Sequence, residues 1–372
     1  MITDVQLPEY LDAAATTPVH PEVLEAMLPY FTQHFGNANS QHIYGQIAKK
    51  AIDDARESIA DNINVLPEEI IFTSGATEAI NLAIKGYWEA NRDKGNHIIT
   101  VKTEHKAVLN TCAYLETLGV DVTYLDVDHY GRITNDELRA AFRPDTILAC
   151  VMHVNNETGL IQDIHTFAET CAERGIAFFT DSTQAIGHIE TDYSNPAITM
   201  ACMSAHKLQG PKGIGALIIK SNTSITPQIH GGGQANQFRS GTLSTPLIRG
   251  LHRASSISSL IIKSNHIWTI KQDAIQHYAI NDIGTPLINP TESSPHILSL
   301  NLTYDKADSY LASNHLNFAA STGSSCQTHL QQESHVLKTM GVALNKVVRI
   351  SFYYHDQIQL QAKTSSTYSK WL

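Results

Sequence analysis

Cysteine is scarce in this chain, and no two of its five cysteines form a CxxC pair or stand at zinc-ligand spacing. That excludes a zinc ribbon and a CxxC redox centre. Charge is also sparse: charged residues are 17% of the sequence, Lys and Arg are scattered, and the formal net charge is −10. Without a basic patch to neutralise phosphates, no direct contact with nucleic acid is expected. No apolar run reaches bilayer-crossing length, and Met1-Ile2-Thr3-Asp4-Val5 lacks a basic segment followed by an apolar one. No membrane contact and no secretory signal are therefore expected, and the cytoplasm is the default location. Nineteen histidines are present without an HExxH or comparable ligand set, so no metal is expected.

What is present is an ordinary apolar content of 42% in a chain of 372 residues. That exceeds the size at which one core usually stops growing, so one large and one small domain are expected. From about residue 70, short β-rich runs alternate with helical patterns, which predicts an α/β domain with a mostly parallel sheet. Strands are predicted at 69–73, 97–101, 122–125, 146–153, 176–180, 198–203 and 214–219. Helices are predicted after residue 80, over 106–118, from a Thr134/Glu137 capping box through Phe142, and near 163–174. Beyond about 250 comes a long helical stretch, then the strand-like Ile297-Leu298-Ser299-Leu300-Asn301-Leu302. This predicts a large domain over 16–255 and a smaller α+β domain made of 1–15 and 256–372.

Three segments carry candidate chemistry. Thr73-Ser74-Gly75-Ala76-Thr77-Glu78 joins a strand end to a helix start, a place that holds phosphate through free amides or is merely a helix cap. Asp181 follows the apolar Phe178-Phe179-Thr180, where it can pair with a pyridinium nitrogen or cap a helix. Lys207 sits in Ser204-Ala205-His206-Lys207, ahead of a Gly/Pro-rich turn, as a Schiff-base lysine or a solvated charge. Phosphate cup, acid and lysine in that order, each at a strand end of one sheet, favour the chemical reading of all three. Cys112, Cys150, Cys171 and Cys202 lie in apolar surroundings and read as buried thiols. Cys326 lies in the polar run Ser321-Thr322-Gly323-Ser324-Ser325-Cys326, a mobile tether for a nucleophile.

Together with Leu11-Asp12-Ala13-Ala14-Ala15-Thr16-Thr17-Pro18, Lys102-Thr103-Glu104-His105, His153-Val154-Asn155-Asn156-Glu157-Thr158-Gly159 and Arg239-Ser240-Gly241-Thr242, these segments resemble the NifS/IscS-type cysteine desulfurases. These are class V aminotransferase-like, fold-type I enzymes that use pyridoxal 5′-phosphate, and the resemblance spans nearly the whole chain. It implies a seven-stranded, mostly parallel sheet, a homodimer, L-cysteine as substrate and a sulfur-acceptor protein as partner. It also implies that Lys207 binds the cofactor, Asp181 pairs with its ring nitrogen, His105 stacks on the ring, and Gln184 meets its phenolic oxygen. Ala76, Thr77, Ser204 and His206 hold the phosphate, with Thr242 supplied by the second subunit. Asn156 and Arg349 grip the substrate carboxylate near Asn37, and Cys326 receives the sulfur as a persulfide.

Three features depart from the pattern. Gln234-Ala235-Asn236-Gln237-Phe238 follows the triple glycine in place of a His-Glu-Arg-Gly-like stretch. Val348-Arg349-Ile350-Ser351-Phe352 lacks a Leu-Gly-Arg continuation, and the sequence ends at Leu372 without the extended tail of housekeeping desulfurases. These favour a specialised sulfur donor, as for DNA phosphorothioation or tRNA thiolation, beside iron–sulfur cluster assembly. The alternatives are an aminotransferase for a small amino acid, which would not need Cys326, a selenocysteine lyase, and a non-catalytic sulfur-relay scaffold.

Overall fold

The computed structural model describes residues 7–232, 237–304, 306–322, 324–325 and 332–354. A seven-stranded sheet forms its centre, ordered Ile70–Thr73, Gly215–Ile219, Met200–Ser204, Ala177–Asp181, Thr146–Cys150, His97–Val101, Asp121–Leu125. All neighbours are parallel except Gly215–Ile219, which runs antiparallel to both of its own. Six of the strands are buried along their whole length, because helices cover both faces and leave no side for polar alternation. Adjacent residues divide between those faces: Ile99 and Phe178 join one core, Ile98 and Phe179 the other. The first core is closed by helices Ile43–Asn62 and Thr245–Ser264, the second by Ala76–Asn91 and Lys106–Glu116.

A second, four-stranded antiparallel sheet has the order Ser321–Thr322, Val347–Ser351, Ile297–Leu302, Gly284–Pro286. Its core, with Leu298, Leu300, Val348 and Ile350, packs against Ile270, Ala274 and Tyr278 of helix His266–Ile280. The N-terminal segment belongs here as well, since Glu9–Tyr10 pairs with Phe318–Ala319 and Leu11 enters this core.

The seven strands and the Thr134/Glu137 capping box fall where the sequence places them, to within a few residues. The strand expected over 146–153 stops at Cys150, because the neighbouring strand ends at Val101 and the Met152 amide turns to the Glu104 carboxylate. The long helical stretch after 250 is two helices, broken where Asn265 adopts a left-handed conformation at φ 55°. The first of them, Thr245–Ser264, runs through residue 255. No described helix is long and apolar enough to cross a membrane.

Candidate active site

The strand ends Thr73, Val101, Cys150, Asp181 and Ser204 all reach one edge of the central sheet. The registers Ser204↔Gly215 and Thr73↔Gly215 bring the first and sixth strands to the same level. Over that edge opens a cavity of about 520 Å³ lined by Gly75, Ala76, Thr77, His105, Asn156, Asp181, Gln184, Ser204, His206 and Lys207 among others. A second cavity of about 750 Å³ shares His105, Asn156 and Lys207 with it and extends to Asp12, Ser321, His335 and Arg349. Nine of the thirteen candidate residues therefore meet in the first cavity and Arg349 in the second, although they come from segments far apart in the chain.

One end of the first cavity suits an anion. Helix Ala76–Asn91 starts after Gly75 at φ 152°, and no side chain caps its first amides. Those N–H groups and the positive end of the 16-residue helix face the cavity mouth together with Thr77, Ser204 and the Lys212 cation. Glu78 steadies the turn by accepting from the Ser74 amide at 2.8 Å and pairing with Arg239 at 2.9 Å. Burial pushes its carboxyl up, but the Arg239 and Ser74 contacts outweigh that and hold it below the usual range. Close approach of chain is essential here, since a Cβ on Gly215 would lie 2.4 Å from the Met203 carbonyl and 2.8 Å from the Gly75 Cα.

Deeper in, Asp181 is 5% exposed and accepts from the Thr183 amide at 3.0 Å and the Cys202 thiol at 3.3 Å. Lys207 stands across from it in a short turn after strand Met200–Ser204, its Nζ donating to the carbonyls of Ala14 (2.6 Å) and Ala15 (2.8 Å). Burial, with the nearby Arg349 charge adding to it, lowers the Lys207 ammonium to about 8, against the pull of Asp181 and Asp12. A lysine of that kind is an accessible amine nucleophile near neutrality. His105 begins helix Lys106–Glu116, its Nδ1 accepting from the Ala107 amide at 3.1 Å, and burial holds its imidazole below the usual range. His206, bonded to the Thr16 hydroxyl at 3.1 Å, is pushed down to about 4 by burial and the neighbouring lysines.

In the second cavity the Arg349 guanidinium pairs with Asp12 at 2.7 Å and donates to Ser321 Oγ (3.2 Å) and the Asn156 carbonyl (2.9 Å). Its buried Nε is left without a partner among the described residues. A fixed guanidinium that has donors left over is a receptor for a carboxylate.

Three sequence-derived residues stand apart. Asn37 and Thr242 are exposed and line neither cavity of their own chain. Cys326 lies outside the described residues. The other four cysteines are buried and free, with burial pushing Cys112 and Cys171 up to about 12 and Cys150 and Cys202 well above the usual thiol range. They are inert at neutral pH.

Sequence reasoning missed Asp12, Glu104 and His296. Asp12 stood inside a quoted motif, but nothing in that motif shows that its partner is Arg349, 337 positions away. Glu104 is fully buried, where burial and Asp181 raise its carboxyl well above the usual range, and its backbone carbonyl meets His335 Nε2 at 2.9 Å.

The anion end, the buried acid and the depressed lysine fit pyridoxal phosphate in size and in donor type. Comparison with known proteins agrees. Residues 9–360 match the aminotransferase class-V family. The cysteine desulfurase IscS of Methanosarcina thermophila is 44% identical over 336 residues, covering 90% of this chain and 83% of that protein. A solved NifS-like protein superposes with a TM-score of 0.86 at 32% identity, covering 96% of this chain and 97% of that one. SspA in complex with cysteine superposes at 0.83 with 35% identity, covering 93% of this chain and all of that one (100%). The chain thus belongs to the aminotransferase class-V family of pyridoxal-phosphate enzymes, among its cysteine desulfurases.

Proposed function

We propose that this protein converts L-cysteine to L-alanine and delivers the sulfur, as a persulfide on Cys326, to an acceptor protein. The observation that carries this reading is the meeting, in one cavity, of an uncapped helix N-terminus, the buried Asp181 and a Lys207 lowered to about 8. Bound pyridoxal phosphate supplies an electron sink that loosens bonds at the substrate's α- and β-carbons.

The chain's own groups then have separate tasks. Ala76, Thr77, Ser204 and His206 would hold the phosphate, Asp181 would pair with the ring nitrogen, His105 would cover the ring and Gln184 would meet its phenolic oxygen. Lys207 would anchor the cofactor through Nζ, and the same nitrogen is the group to carry the substrate's α-proton. Arg349 Nε and Asn156 receive the substrate carboxylate. The Cys326 thiolate attacks the substrate sulfur, the Cβ–S bond breaks with its electron pair left on Cβ, a proton joins Cβ to complete alanine, and the sulfane sulfur stays on Cys326.

A homodimer fits this scheme. Leu24, Leu28, Phe31, Phe35, Ile43 and Tyr44 are large apolar residues left 49–65% accessible on and around the first helices, the kind of exposure that a partner covers. Asn37 lies among these residues in the chain, and Thr242, exposed on its own chain, is free to complete the partner's phosphate site. The partition into 16–255 and 1–15 with 256–372 puts Cys326 on the smaller domain, which has its own core. With a net charge of −10 the contact with any nucleic acid passes through the acceptor protein.

Intact mass after incubation with L-cysteine, without reductant, tests the reading. The wild type should gain one sulfur and release alanine, and Cys326→Ser should gain none. A cofactor-loaded wild type that gains no sulfur would point instead to an aminotransferase or lyase.

A further inference from the structure

Behind the cavity, a chain of hydrogen bonds fixes a tautomer. Ala14 contributes a carbonyl, which can only accept, and it receives Gln184 Nε2 at 2.9 Å and Lys207 Nζ at 2.6 Å. The Gln184 amide nitrogen must therefore face Ala14, which turns its Oε1 toward His296 Nε2, 2.9 Å away. An amide oxygen accepts, so His296 Nε2 must carry a hydrogen. His296 Nδ1, 2.6 Å from Ser294 Oγ, is then the acceptor for that hydroxyl. The Ser294 segment is itself held by the buried Lys271, which donates to Ser293 Oγ (2.6 Å) and the Ser294 carbonyl (2.9 Å).

The His296 ring is braced on one face. It stacks on His188 with centroids 3.6 Å apart and planes 10° from parallel, and His188 in turn is hydrogen-bonded to the Lys207 backbone. Burial keeps both imidazoles neutral, His188 pushed down to about 3 and His296 well below its usual range. The stack thus joins the backbone of one cofactor-site residue to the side chain of another. Both rings also wall a separate cavity of about 350 Å³ on the far side of Lys207.

We propose that His296 is a positioning residue: in its Nε2–H form, braced by His188, it fixes the Gln184 amide so that NH2 rather than oxygen faces Ala14 and the cofactor cavity. This rests on the reading that the cavity holds pyridoxal phosphate, whose phenolic oxygen then meets a donor. Without His296 the amide is tethered by Ala14 alone and its buried oxygen loses its partner, so the donor is no longer held firmly toward the cavity.

Two measurements test this on the full chain. In cofactor-free wild type, nitrogen-15 NMR of the histidine side chains, with His296 assigned by its loss in His296→Phe, should show a neutral Nε2–H ring. An Nδ1–H or doubly protonated His296 overturns the proposal. In the holoenzyme, His296→Phe keeps a flat ring on His188 but removes the donor. The pH midpoint of the visible cofactor band should move by about half to one unit, the equivalent of one lost hydrogen bond of ~0.5–1.5 kcal/mol. His296→Asn, whose Nδ2 can donate, should return it toward the wild-type midpoint. An unmoved midpoint in the Phe variant reduces His296 to packing and overturns the proposal. If His296→Phe does not fold, the assignment is made with His296→Asn, and the wild-type tautomer decides. A wild type that loads cofactor yet makes no alanine defeats the desulfurase reading while leaving both positioning measurements intact.

Discussion

Lys207 shows how burial turns a common surface cation into a reagent. With its ammonium lowered from 10.5 to about 8, the folded chain gives up this proton more readily than the unfolded chain does. Its contribution to stability therefore improves as pH rises between those values, and below about 8 burial of the charge is a cost. The same shift predicts the kinetics of loading. Addition of pyridoxal phosphate to cofactor-free protein should accelerate about tenfold per pH unit below 8 and level off above it, followed by the growth of visible absorbance. A rate still climbing steeply past pH 9 would show an unperturbed lysine. Lys207→Ala should lower alanine release at least a thousandfold, by roughly 4 kcal/mol of barrier, and substantial remaining turnover would contradict the assignment. Arg349 depends on a partner in the same way. Asp12→Asn removes the charge that orients the guanidinium, so KM for cysteine should rise about three- to tenfold with a smaller change in kcat.

Among the elements, the antiparallel strand Gly215–Ile219 is decisive, because it brings Thr73 and Ser204 to one level at the phosphate end. Gly215 permits that closeness. Gly215→Ala would force the Met203 carbonyl and the Gly75 turn apart, destabilising the fold by about 1–3 kcal/mol. A lowered melting temperature together with weaker cofactor retention is the expected pair of results. Retention unchanged in a protein that melts lower would separate the strand contact from the anion site. At the opposite extreme, Thr134 caps a short surface helix at the sheet edge through its hydroxyl and Glu137. Thr134→Ala should cost about 1 kcal/mol of stability and leave cofactor binding alone.

For the molecule as a whole, the site lies between two units with separate cores, joined by Leu160 packing onto Ile288, Val336, Leu337, Met340 and Val347. Arg349 and Asp12 stand on the smaller unit's sheet and face Asn156 across this seam. In the proposed homodimer, two copies associate through the exposed apolar residues around Phe31 and Phe35. Sedimentation should give twice the chain mass for the wild type. Phe31→Asp combined with Phe35→Asp should give monomers with reduced phosphate affinity, as Thr242 no longer reaches the partner's site. A wild type that sediments as a monomer at micromolar concentration would exclude that arrangement.

The sequence by itself determined the alternation of strands and helices, since burial on both faces demands largely apolar, β-rich runs such as His97–Val101 and Ala177–Asp181. It also pointed to the strand ends that line the first cavity, because Gly75, Asp181 and Lys207 each lie at or within three residues of a strand's end. Strand lengths were less legible: Met152 leaves the ladder for Glu104, a partner 48 positions earlier. Only the tertiary structure decided how the site residues meet. Arg349 with Asp12, His296 with Gln184, and Gly215 against Gly75 are contacts between residues more than a hundred positions apart. Local patterning reports the face on which a residue lies, whereas hydrogen-bond partners and the pKa of Lys207 depend on which faces are packed together and how much water that packing removes.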